Sequence, residues 1–247
     1  MRVPPAVTDP IGAALGAGFA WLAARRGGEG VHTSGVRLTG TLAVEPRSAP
    51  PGVPLLARPD RYAVHVRLSW GAGPVRGLPD VPGFGMRVLD ADGAGGAQDL
   101  LLDGSLPAPR DRGLVLRRTL AGWYGTPLRL HLGTPDGPKV QAAVRLRWGG
   151  PGRLGLDAVR ADPAAVRGLL LLHGGGRVLG TGRLELGAVT GPTDPDGPRF
   201  DLGADAGGLV SAGFWHDLRA RAYADSRAGD PRPSPTRTER APTARGR

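Results

Sequence analysis

Residues 36–44 read VRLTGTLAV. Val36, Leu38, Leu42 and Val44 alternate with Arg37, Thr39, Thr41 and Ala43, a period of two that turns one side of an extended chain toward a core. The rhythm recurs at 62–69 (YAVHVRLS), 84–89 (FGMRVL), 127–132 (PLRLHL), 140–148 (VQAAVRLRW) and 177–186 (RVLGTGRLEL). Gly, Pro or Asp bounds each run, the pattern of short antiparallel strands joined by turns. PDGP at 135–138 predicts a hairpin turn between two of them. Helical interruptions are expected near 157–168 and at 208–227. The reading is mainly β with helices (α+β): an antiparallel barrel of roughly eight strands, a size that can hold one ligand.

The two ends read differently. Residues 11–24, IGAALGAGFAWLAA, form an uncharged stretch of 14 residues, against the roughly 20 that a membrane-spanning helix needs. Asp9 precedes it and Arg25-Arg26 follow it, the wrong polarity for a secretory signal. Asp9 can cap, Pro10 suits a first turn and Gly27-Gly28 terminate, so an N-terminal helix within 1–30 is expected. Ile11, Leu15, Phe19 and Leu22 share a face that packs on the core, with a membrane-surface anchor as the alternative. A cytoplasmic protein is the expectation. From 229 to 247 the chain carries five arginines against Asp230 and Glu239, with no large apolar residue. That composition predicts a disordered Pro/Arg tail that is solvated, or drawn non-specifically to phosphate. The domain proper is expected over 31–228.

Composition excludes whole classes of chemistry. The 247 residues hold no cysteine, which removes disulfides, thiolate zinc sites, iron–sulfur clusters and cysteine nucleophiles. The net charge is +10, yet Lys139 is the only lysine, Ile11 the only isoleucine, and asparagine is absent. This is the bias of GC-rich codons, so the arginine excess is weak support for a nucleic-acid surface. No aromatics interleave with the tail arginines, so no single-strand platform is expected. The five histidines have no metal-ligand partner at i+2, i+3 or i+4, and neither a GxSxG elbow nor a GxxxxGK[ST] loop occurs. The glycines of 71–77 (GAGPVRG) are too common a pattern to carry a phosphate site. Asp90 and Asp92, in LDADGAGG, begin like a calcium loop but lack its later ligands; a hairpin turn is the expectation.

Four segments, taken in order, resemble the catalase superfamily. VHTSG at 31–35, leading into the first strand, is similar to the VHxxG motif that carries the distal histidine. AVHVRLSWGAG at 63–73 is similar to the RFS strand. DVPGFGMRVLDADGAGGAQDLLLDGS at 80–105 resembles the block beginning DPRGF, sharing Gly83-Phe84 and Asp99-Leu100. GLVSAGFWHDLRARAYADSRAG at 208–229 looks like the proximal helix with its RxxxY motif. The resemblance implies a catalase-like barrel with an N-terminal helix and a C-terminal proximal-type helix. It also implies a haem cofactor whose iron is ligated by Tyr223, with Arg219 bonding the phenol oxygen and Arg67 neutralising a propionate. His32 is implied as the distal acid–base group, Ser69 as the residue that orients it, and Asp103 as the third distal position.

The departures are specific. The family has an asparagine at the position of Asp103, aromatics where Pro107-Ala108-Pro109 stand, and further arginines at the positions of Glu29 and Asp230. The chain is also shorter than a typical catalase. Proteins of this appearance are sometimes called phosphodiesterases, but no dinuclear metal ligand set is present in the sequence. The leading expectation is a haem-dependent catalase- or peroxidase-like oxidoreductase acting on hydrogen peroxide or an organic hydroperoxide. The alternative is a haem-free protein of the same fold that binds a small apolar ligand or serves as a scaffold. Implied partners are therefore a small peroxide or apolar ligand and a second copy of the chain, with no specific nucleic acid and no transmembrane span.

Overall fold

A computed structural model describes residues 34–70, 82–103, 128–133, 139–152, 154–190, 200 and 203–211. Nine antiparallel strands form one sheet: β1 (Ser34–Pro46), β2 (Asp60–Trp70), β3 (Pro82–Val88), β4 (Gln98–Asp103), β5 (Leu128–Gly133), β6 (Val140–Trp148), β7 (Val166–Gly174), β8 (Arg177–Val189) and β9 (Val210–Ser211). Their order across the sheet is β4-β3-β2-β1-β8-β7-β6-β5-β9, and β4 pairs again with β5. The sheet therefore curls until its ends meet, at the Asp103–Arg129 pair. A path from Gly35 runs through Ser69, Gly83, Asp103, Arg129, Ala143, Leu171 and Thr181 and re-enters β1 at Glu45. That stagger along β1 is what tilted strands need in order to close.

The alternation read in the sequence sets the inner surface. Val36, Leu38, Leu42 and Val44 of β1, Val64, Val66 and Leu68 of β2, and Phe84, Met86 and Val88 of β3 are all buried in one core. They meet Leu100 and Leu102 of β4 and the inward leucines of β7 and β8. Small residues opposite large ones let these layers interdigitate. A Cβ added at inward Gly182 would lie 2.8 Å from Leu42, one at Gly168 2.9 Å from Leu184, and one at Gly180 2.7 Å from Leu56. At these levels leucines already fill the interior.

One end of the barrel is closed by chain rather than by strands. Leu55 and Leu56, in the 3-10 turn Pro54–Leu56, are fully buried. The 203–209 segment lies against this turn, Leu55 N–H donating to the Gly207 carbonyl. Gln98 ties that segment to the barrel: its amide donates to the Leu209 carbonyl at 2.9 Å and accepts from the Leu209 N–H at 3.1 Å. Gly208, at φ +80°, has the Gly52 carbonyl 2.2 Å from where a Cβ would stand, so no other residue fits.

Three expectations are corrected. The helix near 157–168 is only α1 (Leu156–Ala161), followed by a 3-10 turn at Pro163–Ala165 and then by β7. Pro163 lacks the N–H that a continuing helix needs and drives Asp162 out of the helical region, to φ −147° and ψ 80°. The helix expected from 208 does not begin there, because Val210 and Ser211 pair with β5. Three strands, β4, β7 and the short β9, are additional to the six alternating runs. The N-terminal helix at 1–30, the turn at 135–138, residues 212–227 and the tail from 229 lie outside the described residues. Among the described residues, no helix is long and apolar enough to cross a membrane.

Candidate functional site

The barrel's outer surface over β1 to β4 is laid out in rows by the strand register. In the first row, Ser69 pairs with Gly35 and with Gly83, and Gly83 pairs with Asp103. Ser69 is buried although it belongs to the outer series of β2. Its lateral neighbours have no side chain, and a Cβ on Gly35 would stand 3.2 Å from the Ser69 Cβ. Two strand spacings, roughly 9–10 Å, separate the backbones of Ser69 and Asp103.

The second row is Arg37, Arg67, Gly85 and Leu101. Arg67 and Arg37 are directly opposite one another and both half-buried. Leu101 and Gly85 are buried on this outer side. The Phe200 ring lies on Gly85, 3.1 Å from the place of a Cβ.

The third row is Thr39, His65, Arg87 and Asp99. Arg87 grips Asp99 with two parallel bonds, Nε to Oδ1 at 2.7 Å and Nη2 to Oδ2 at 2.6 Å. The Asp99 carboxylate is wholly shielded from water. The Arg87 guanidinium also stands 5.9 Å from the centre of the Phe200 ring, within reach of a cation–π attraction. Sequence reasoning did not single out Arg37, Arg87 or Phe200. The one available signal was polar residues at the outer positions of a strand whose partner strand carries an acid.

Of the six residues implied by the resemblance, Arg67, Ser69 and Asp103 fall within two adjacent rows of this face. His32, Arg219 and Tyr223 lie outside the described residues, as do Glu29, Asp230 and residues 107–109. The Asp90–Asp92 stretch is the hairpin loop that the sequence suggested. Asp90 Oδ1 accepts from Gly95 N–H at 2.6 Å, and Asp92 Oδ1 accepts from Ala94 and Gly96 N–H at 2.9 and 2.8 Å. The Ala94 and Gly96 amides hold the Asp92 carboxyl below its usual value. These carboxylates serve the turn. Among the described residues, no three His, Asp or Glu side chains are grouped to hold a metal ion.

By sequence, the chain matches no family model and no curated protein. By structure, it is similar to catalase A from Saccharomyces cerevisiae, with a TM-score of 0.51 and 11% identity. That superposition covers 81% of this chain and 60% of the yeast protein. A fungal catalase superposes with a TM-score of 0.48 and 12% identity, over 81% of this chain and 58% of that one. The chain thus spans about 60% of the length of the yeast catalase. The curled antiparallel sheet described above is a catalase-like β-barrel, and the likeness is one of fold.

Proposed function

We propose that the protein is a divergent haem-dependent peroxidase- or catalase-like oxidoreductase acting on hydrogen peroxide or an organic hydroperoxide. The observation that carries this reading is the row Ser69–Gly83–Asp103, with Arg67 in the next row, on the buried outer side of a catalase-like barrel. The chemistry of this face fits a flat, propionate-bearing macrocycle. Gly35 and Gly83 remove side chains from two outer positions, Arg67 and Arg37 stand in the next row, and Phe200 covers Gly85 at the edge of this area.

Haem, when bound, supplies the redox chemistry on the peroxide. Tyr223 would hold the iron as phenolate, and Arg219, four residues earlier in the sequence, would favour that form by bonding the phenol oxygen. Arg67 pairs with a propionate. His32 accepts the proton of one peroxide oxygen at an imidazole nitrogen and returns it to the other, while Ser69 fixes the ring orientation. Asp103 sets this chain apart: a carboxylate repels hydroperoxide anion where an amide would not, so turnover is expected to be slower than with asparagine there. A ligand inside the barrel is disfavoured by the leucines that fill the interior beside Gly168, Gly180 and Gly182.

The test is the absorption spectrum of protein produced with haem supplied during expression. A Soret band that shifts in Tyr223→Phe is the expected result. A colourless protein that also refuses added hemin would overturn the proposal and leave the haem-free binding or scaffold role.

A further inference from the structure

The opposite side of the barrel has a different chemistry. On the outer face of β6 to β8, Arg145, Leu169 and Arg183 form one cross-strand row, and Arg147, Arg167 and Glu185 form the next. All six are exposed. Leu169 is 47% exposed, and Val178, further along the same side, is 43% exposed. Arg145, Arg147 and Arg183 make no ion pair among the described residues, while Glu185 stands 3.9 Å from Arg61. Arg147 and Arg167 are directly opposite each other, a like-charge pair that an external anion relieves. The signal here is placement: arginines surround an aliphatic side chain with one acid among them.

We infer that this face docks on an anionic lipid surface. Leu169 enters the headgroup layer, and the arginines meet lipid phosphates while their stems lie along the interface. Charge complementarity selects an anionic partner, and three further features select a bilayer. Each of β6, β7 and β8 is paired on both sides, so no free edge is offered to an added strand. No aromatic side chain stands in these two rows, so unpaired bases would find nothing to stack on. An isolated leucine among arginines gains from hydrocarbon and gains nothing from a sugar–phosphate backbone. A planar surface also demands no groove.

The experiment is co-sedimentation of the full chain with vesicles of equal parts phosphatidylglycerol and phosphatidylcholine, and with phosphatidylcholine alone. Binding is expected only to the anionic vesicles. Each arginine removed should weaken it about fivefold, so the triple variant Arg145→Ser, Arg147→Ser, Arg183→Ser should lose about a hundredfold. Leu169→Ser should lose up to about tenfold. All four positions are exposed, and an unchanged circular dichroism spectrum and melting temperature will separate lost docking from lost fold. Wild-type affinity in the triple variant would overturn the inference by assigning binding to the tail. Equal affinity for duplex DNA, insensitive to Leu169→Ser, would overturn it in favour of simple polyanion attraction.

Discussion

The outer surface over β2 to β4 and the outer surface over β6 to β8 are made by the same strand alternation on one barrel, yet they share almost no chemistry. On the first side Ser69, Gly83, Gly85, Asp99 and Leu101 are buried, and the Asp99 carboxylate is clamped by Arg87. On the second, Arg145, Arg147, Arg167, Arg183 and Glu185 are open to solvent. The inner leucines and valines are alike on both sides, so the core explains why the barrel exists and says nothing about what it does. The difference lies in the outward half of each strand, which is open to solvent on one side and buried a second time on the other.

The largest effect separating the two sides is expected at Arg87. Arg87→Ala removes the guanidinium that grips the buried Asp99 carboxylate, and loss of such a partner typically costs about 3–5 kcal/mol. Chemical denaturation should show it as a lowered midpoint, whereas Arg183→Ala on the open side should change stability by less than about 0.5 kcal/mol. Comparable losses at both positions would erase the distinction between a covered and an open face.

Glycines sharpen the same comparison. Gly85→Val must displace Phe200 and Leu101, whose atoms lie 3.1 and 3.2 Å from the new Cβ, and should cost about 1–3 kcal/mol. Gly187→Val meets Thr39 at ordinary contact, its carbonyl at 3.5 Å and its hydroxyl at 3.9 Å, and should be neutral or stabilising by up to about 1 kcal/mol, because valine suits a strand better than glycine. Thermal unfolding of the two variants side by side is the check.

A smaller loss than at Arg87 or Gly85 is expected at the β3–β4 turn. Asp92→Ala removes a carboxylate that accepts two backbone N–H groups, a loss of about 0.5–1 kcal/mol by analogy with helix caps. Because the folded protein holds the Asp92 carboxyl below its ordinary value, its contribution is fully present above the pKa of an unfolded aspartate. It fades as pH falls through the lower folded value. The stability gap between wild type and Asp92→Ala should therefore be full at neutral pH and close in acid.

The contrast between the faces also explains what was legible in the sequence. β1 and β2 could be read from alternation because one side of each is apolar and the other carries Arg, Thr or His. β4 was hidden because its outward Leu101 is buried too, which turns alternation into the run Leu100–Leu101–Leu102. β7 was hidden for the opposite reason: Leu169 and Leu171 are apolar on the outward side, so 169–172 reads as an unbroken leucine run. The one-turn length of α1 was readable at Pro163, which a helix-favouring composition around it obscured. At the candidate site, Arg67 and Ser69 are two residues apart on one strand and can be recognised together. Arg87 and Asp99 are twelve residues apart, and only the hairpin register brings them opposite. Phe200 reaches Gly85 from a segment more than a hundred residues away in the chain, beyond any local pattern.

The central claim is that the covered face over β2 to β4 is where haem binds, and a hemin titration of two matched variants tests it directly. Gly83→Leu places a side chain in the row between Ser69 and Asp103, while Gly187→Leu adds the same bulk at an exposed position of β8, beside Thr39 and outside β2 to β4. With both variants shown to be folded by circular dichroism, the account predicts a Soret band at one equivalent of hemin for wild type and Gly187→Leu, and none for Gly83→Leu. Equal hemin binding by Gly83→Leu and wild type would contradict it.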